Sequence, residues 1–248
     1  MTPDQVATVV ERLAYRAWPA QEEARLGGWI LRSSPGLRTR RINSATSPIA
    51  GGTDLDEAAT HIRAWFEARR SDPIVRILSV SDPAVDGFFA AAGWKREAPT
   101  LVMTAQLEVS PAGRSSRIEP TVLPVWADAK QRFTGMTDTM TATWLRRAGD
   151  IRAVTAYASV EHDGVVLAIG QGVVDEGWLG LFDLNTDPAH RRRGLATRLV
   201  GDLEAWAGDL GVARAYLQVE EENRPARRLY EQRGYGEAYS YWYRRLSR

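Results

Sequence analysis

No cysteine occurs among the 248 residues. Its absence excludes disulfides, a thiolate nucleophile, Cys-ligated zinc and any acyl-cysteine intermediate. Histidine is nearly as scarce: His61, His162 and His190 are the only three, and no two share metal-ligand spacing. No metal is expected. Lysine is confined to Lys95 and Lys130, so arginine supplies nearly all of the 32 basic residues. Against 31 acidic residues the formal net charge is +1, which argues against a general polyanion binder and so against nucleic acid. Over the whole chain the arginine excess reads as coding bias; the run Arg191 to Arg193 is a separate matter. No apolar run approaches the roughly 20 residues of a bilayer-spanning helix. No basic segment followed by an apolar core opens the chain. No membrane association is expected, and a reducing, cytoplasmic setting is the simplest expectation. Gly-Lys-Ser/Thr is missing too, which disfavours a P-loop nucleotide enzyme.

What is present is an ordinary globular composition, 44% hydrophobic and 25% charged, long enough for one large domain or two small ones. Val6, Val9, Val10 and Leu13 share a helical face over 3–16. Strands are expected over 29–32 and 37–46, then a helix from an Asp54 cap to about Arg70. A short apolar strand over 74–80, a helix through Phe88-Phe89 that ends at Gly93, and an extended stretch over 94–107 follow. Ser110 to Ser116 has linker composition, which sets expected domains of 1–112 and 113–248. The second half offers helical stretches over 123–133 and 138–148. Strands over 153–160 and 165–174 meet at Asp163-Gly164, a hairpin signal. A strand over 178–185, an amphipathic helix over 193–210, a strand over 213–220, a short helix from Asn223 to Gln232 and an aromatic strand over 235–244 complete it. The order of elements repeats between the halves, as a tandem duplication would produce. Chance similarity of helix–Gly–aromatic endings is the plain alternative.

Asp187-Pro188-Ala189-His190-Arg191-Arg192-Arg193-Gly194-Leu195-Ala196-Thr197 carries the chemistry. Pro188 cannot donate to a sheet ladder, so the strand ends there and the chain turns into a helix. A helix N-terminus leaves N–H groups unpaired and adds partial positive charge, which together stabilise an anion. Gly194 and Ala196 are small where a pyrophosphate would touch backbone. Arg191 to Arg193 add forked cationic donors, and Thr197 a hydroxyl.

Arg191-Arg192-Arg193-Gly194-Leu195-Ala196 resembles the Arg/Gln-x-x-Gly-x-Gly/Ala signature of the GNAT (GCN5-related N-acetyltransferase) superfamily. Asn223-Arg224-Pro225-Ala226-Arg227-Arg228-Leu229-Tyr230, closing at Gly234-Tyr235, is similar to the family's second motif. The resemblance covers roughly Arg117 to the C-terminus. More loosely, through Trp29-Ile30-Leu31-Arg32 and Arg40-Arg41-Ile42-Asn43-Ser44, the whole chain resembles tandem-GNAT proteins of actinobacterial type. It implies an α/β (α+β) fold with a mixed, mostly antiparallel sheet flanked by helices, in two tandem GNAT-like halves. It implies an enzyme that uses acetyl-CoA as cosubstrate and an amine acceptor, working as a monomer with pseudo-dimeric halves or as a homodimer. The N-terminal half departs from the pattern. Ser47-Pro48-Ile49-Ala50-Gly51-Gly52-Thr53 has glycines but no arginine and no signature. That half is expected to be degenerate, with one CoA bound per chain.

By the same resemblance, backbone N–H groups of Leu184, Asn185 and Thr186 hold the acyl carbonyl, an oxyanion contact worth on the order of 3 kcal/mol per donor; their plain reading is as sheet residues. Arg191, Arg192, Arg193, Gly194, Leu195, Ala196 and Thr197 form the pyrophosphate cradle. Tyr230 becomes the general acid that protonates the departing sulfur, although spacing alone fits a packing tyrosine. Asn223 contacts the cofactor arm, caps the helix that starts at Arg224, or does both. Asp183 and Glu220 are candidate bases, although the plain reading of each, as an ordinary strand-end carboxylate, is the stronger one. His190 is expected to be structural or phosphate-adjacent. Three functions follow: acetyl transfer to a small primary amine such as an amino acid, acetyl transfer to protein lysines or N-termini, or a non-catalytic acyl-CoA sensor. The acceptor itself is not legible.

Overall fold

Thr2 starts the first helix with a capping box: its hydroxyl accepts from the Gln5 N–H, and the Gln5 side chain accepts from the Thr2 N–H at 3.0 Å. The structure, a computed structural model, describes residues 1–51, 54–107 and 114–246. The first half runs α1 (Pro3–Ala17), β1 (Glu22–Leu26), β2 (Trp29–Ser33), β3 (Ser44–Thr46), α2 (Leu55–Glu67), β4 (Ile74–Leu78), α3 (Pro83–Ala91) and β5 (Lys95–Gln106). The second runs β6 (Arg117–Glu119), α4 (Pro124–Thr134), α5 (Asp138–Gly149), β7 (Val154–His162), β8 (Val165–Asp175), β9 (Trp178–Thr186), α6 (Leu195–Asp209), β10 (Arg214–Glu220), α7 (Arg224–Gln232) and β11 (Gly236–Arg245). The expected linker boundary at 112–113 lies outside the described residues.

Two-residue turns with both residues at positive φ close three hairpins: Gly27-Gly28, Asp163-Gly164 and Glu176-Gly177. This is the turn whose twist matches the flanking strands. Gly27-Gly28 therefore joins β1 to β2. The expected single strand over 37–46 is instead a loop, a 3₁₀ turn over Arg40–Ile42 and the short β3. Asn43 holds that loop: its Nδ2 donates to Leu37 O at 2.9 Å and to Thr39 O at 3.0 Å, and its Oδ1 accepts from the Ser34 N–H.

All eleven strands form one sheet, ordered β1-β2-β3-β4-β11-β5-β10-β9-β8-β7-β6. Among the described residues only β3–β4 and β9–β10 pair in parallel. The mixed, mostly antiparallel sheet expected from the sequence is thus present, and apart from the additional edge strand β6 its order reads the same way inward from both edges. The last strand of each half lies in the territory of the other. β11 pairs with β4, β5 pairs with β10, and β5 and β11 meet at the centre.

Successive strand residues face opposite sides, which separates two layers of core. Ala156, Ala158 and Ala168 pack beneath α6 and α7 with Leu199, Leu203 and Tyr230. Tyr157 and Ile169, their neighbours, face α4 and α5 with Trp126 and Trp144. α1 covers the centre of this second face against Tyr239, Tyr241 and Tyr243. There Arg76 of β4, fully buried, pairs with Glu11 of α1, whose other oxygen accepts from Tyr239 Oη at 2.8 Å. α1 is thereby bound to one strand from each half.

Burial pushes Tyr15, Tyr157 and Tyr230 up to about 12. An unfolded tyrosine titrates near 10. The folded state therefore binds more protons between pH 10 and 12. These phenols contribute stability that is fully present below pH 10 and lost as pH rises through 12, at roughly 1.4 kcal/mol per pH unit for each. Urea midpoints should fall steeply above pH 10. A flat profile to pH 11.5 would contradict this.

Candidate active site

β9 and β10 run side by side from Trp178–Arg214 to Leu181–Leu217 and then part. A bulge turns β9 away. Opposite β8 the register jumps between Ile169–Asn185 and Gln171–Phe182, so Asp183 and Leu184 face Gly170 alone, with Asp183 at φ 50°. Gly170 is required there: a Cβ would lie 2.7 Å from Leu184 Cδ2. Beyond the bulge the Asp187 N–H donates to Leu167 O on the β8 side. By strand alternation Asn185 turns its N–H the same way. The Leu184 and Thr186 N–H groups then face the gap, where no strand meets them.

The gap is a cleft of ≈ 480 Å³ that passes through the sheet. Asn223, Ala226 and Tyr230 line it from the α6–α7 face. Trp18, Leu37, Arg38 and Arg41 of the first half, with Met136, Met140 and Trp144, line it from the other. Leu184, Asn185, Asp183 and Glu220 line it in between.

The cradle follows β9 directly. Asp187 accepts from the Ala189 N–H at 2.9 Å and opens a 3₁₀ turn over Pro188–His190. Arg192 at φ 65° and Gly194 at φ 74° then swing the chain into α6. Because Gly194 is left-handed, α6 starts at Leu195, two residues after the start expected from periodicity. No side chain caps α6 and its first turn holds no acid. The N–H groups of Gly194, Leu195, Ala196 and Thr197 find no acceptor among the described residues. Arg191, Arg192, Arg193 and Thr197 are exposed around them. This is an open, uncompensated helix N-terminus of the kind that takes a phosphate.

The matching position in the first half is already filled. Asp54 caps α2, accepting from the Asp56 and Glu57 N–H groups at 3.0 and 3.1 Å, and Asp56 and Glu57 add two more carboxylates in the first turn. Nor does the parallel pair β3–β4 part. Ser47 N–H donates to Arg76 O at 2.9 Å, Ser47 Oγ accepts from the Leu78 N–H, and Ser81 Oγ reaches Ser47 Oγ and Pro48 O at 2.7 Å. Gly52 and Thr53 of this loop lie outside the described residues.

Tyr230 is buried in α7, its ring edge-on to Tyr235 at 6.0 Å, and its hydroxyl makes no hydrogen bond to the described protein. Burial raises the phenol to about 12. Asn223 caps α7 by accepting from the Ala226 N–H at 3.3 Å and also lines the cleft. Asp183 Oδ1 pairs with Lys130 Nζ at 2.8 Å, while its Oδ2 is buried with no partner. Glu220 is exposed, 3.9 Å from Arg40. His190 stays in the turn, 3.6 Å from Asp187. Lys130, Arg41 and the Trp18–Trp144 wall had no signal in spacing, beyond Lys130 being one of two lysines.

A parallel strand pair that splays beside an uncapped helix N-terminus, with a tyrosine-bearing short helix after the next strand, places the protein among the GNAT acetyltransferases. The chain is similar in fold to a GCN5-related N-acetyltransferase from Kribbella flavida, with a TM-score of 0.70 at 15% identity over 98% of this chain and 95% of that one. It is likewise similar to a tandem GNAT protein from the clavulanic acid biosynthesis pathway, with a TM-score of 0.65 at 14% identity over 99% and 96%. In sequence it is 25% identical over 243 residues, 95% of this chain and 96% of the relative, to YobR of Bacillus subtilis, an uncharacterized N-acetyltransferase. Residues 7–244 match the family described as "Probable histone acetyltransferase Rv0428c C-terminal", and the chain belongs to that family.

Proposed function

We propose that the second half transfers an acetyl group from acetyl-CoA to a small primary amine by direct attack in a ternary complex, while the first half binds no CoA and closes the acceptor end of the cleft. The observation that carries this reading is the gap beyond Leu181–Leu217, lined by Tyr230 and bordered by the strand that leads into an open helix N-terminus. The residues present fit acetyl-CoA: Gly194 to Thr197 and the three arginines take the pyrophosphate, and the gap takes the pantetheine arm beside Asn223.

The amine nitrogen attacks the thioester carbon, and the oxygen takes up negative charge against the Leu184 and Thr186 N–H groups. The carbon–sulfur bond then breaks. Sulfur takes the Tyr230 proton, and the phenol is restored from solvent. The attacking amine loses its proton to Asp183 Oδ2 or, through water, to Glu220. With no cysteine in the chain, the acetyl group never resides on the protein's sulfur.

The family description favours a second reading, acetyl transfer to a protein lysine. The lining favours the first. A cationic tail is recognised by acidic walls, and here Arg38 and Arg41 stand at the acceptor end. CoA release followed with a thiol reagent has no protein background. Turnover of small amines in preference to lysine-bearing histone peptides supports the small-amine reading; turnover of the peptides alone refutes it.

A further inference from the structure

Arg41 belongs to the first half, yet its side chain lines the cleft of the second, on the face opposite the cradle. It is half-buried and faces the Tyr241 and Tyr243 phenols, with Asp183 beyond them. The carboxylates around it each lie beside another cation. Asp183 is held by Lys130 at 2.8 Å, Glu97 by Arg245 at 2.7 Å, and Glu220 lies 3.9 Å from Arg40. Arg41 itself has no carboxylate within ion-pair distance among the described residues. Arg38, exposed at the rim, adds a second cation with no counter-ion there.

A guanidinium drawn out of water without a counter-ion is costly. Here the Tyr241 and Tyr243 phenols and, more weakly, Asp183 favour its charge without a carboxylate at ion-pair distance, and the side chain opens onto a cavity. Its planar fork matches a carboxylate in bidentate geometry. CoA phosphates are not its partner, because the cradle lies across the sheet. Trp18, Leu37, Met140 and Trp144 supply apolar walls beside it.

We propose that Arg41 is the acceptor's carboxylate anchor, so that the substrate class is amines that also carry a carboxylate and an apolar body, as in a hydrophobic amino acid. This rests on the small-amine reading and narrows it. The amine would lie toward Asp183 and the gap, and the carboxylate toward Arg41. The first half would then act as the specificity element of a site whose chemistry lies in the second.

The test uses matched acceptors on the full chain: leucine, methionine and phenylalanine, each beside its carboxamide and its decarboxylated amine. CoA release and calorimetric binding to the enzyme–CoA complex are both measured. The native protein should favour each acid over its carboxamide by roughly 30-fold or more in kcat/KM, as expected for a desolvated charge pair. In Arg41→Gln that preference should collapse to within about 3-fold through loss on the acid, and Arg41→Lys, which keeps the charge but not the fork, should fall between. Acetyl-CoA affinity and circular dichroism establish that each variant is folded, and if Arg41→Gln is not, Arg41→Lys decides. Turnover of the panel with no preference for acids, or an equal loss on acids and carboxamides, overturns this inference and leaves the small-amine reading standing. Neither turnover nor binding by any member overturns both.

Discussion

Tyr230→Phe is expected to lower kcat by roughly 10²–10⁴-fold, the range for loss of a general acid. Acetyl-CoA affinity should change little. The ring is what packs, edge-on to Tyr235, and phenylalanine preserves it. The hydroxyl has no hydrogen bond in the described protein, so its removal leaves no buried partner unpaired and the fold should be unaffected. With the phenol raised to about 12 by burial, ionisation of Tyr230 should contribute no falling limb to the rate between pH 8 and 10. Stopped-flow and steady-state assays of CoA release across that range check both points. An unchanged kcat in Tyr230→Phe would remove Tyr230 from the chemistry.

Gly194→Asp is expected to weaken acetyl-CoA binding by about 10- to 100-fold, the worth of charge-assisted hydrogen bonds at one site. The substitution copies what the first half already has. An aspartate at the cap of α2 accepts from two first-turn N–H groups and fills its N-terminus with negative charge. At Gly194 its carboxylate would stand at the open N-terminus of α6 and repel the pyrophosphate. No clash would displace the cofactor, since a Cβ at Gly194 meets nothing within 4 Å, although a φ of 74° strains any side-chain-bearing residue, aspartate less than most. Thermal stability should fall by no more than about 1 kcal/mol, the usual cost of a side chain at such a φ, while affinity falls by the full amount. Unfolding, or an affinity that does not change, would mean that Gly194 serves the fold and not the cofactor.

Much of this candidate site is legible in the sequence because the elements that form it are local. A proline, a glycine and the helix that follows lie within ten residues, and the short helix from Asn223 announces itself by its cap and its closing Gly234. The α6 boundary was misplaced by two residues because Gly194 is left-handed, which hydrophobic period does not register. β1 escaped notice because Glu22–Leu26 is an edge strand whose alternate residues are exposed and charged. The exchange of β5 and β11 had no signal at all, since pairing between strands more than a hundred residues apart leaves no period in either. For the same reason Trp18, Leu37 and Arg41 gave no hint that they reach the cleft of the second half. Lys130 was equally silent: the helix pattern over 123–133 fixes its face, and only the fold brings it to Asp183.

The contrast between the two halves is the centre of the account: one parallel strand pair parts beside an open helix N-terminus, and the other is laced shut beside a capped one. Isothermal titration of acetyl-CoA into the full chain tests it most directly. One molecule bound per chain, weakened in Gly194→Asp and unaffected in Asp54→Ala, is the predicted result. Two molecules per chain, or one whose affinity responds to Asp54→Ala and ignores Gly194→Asp, would contradict it.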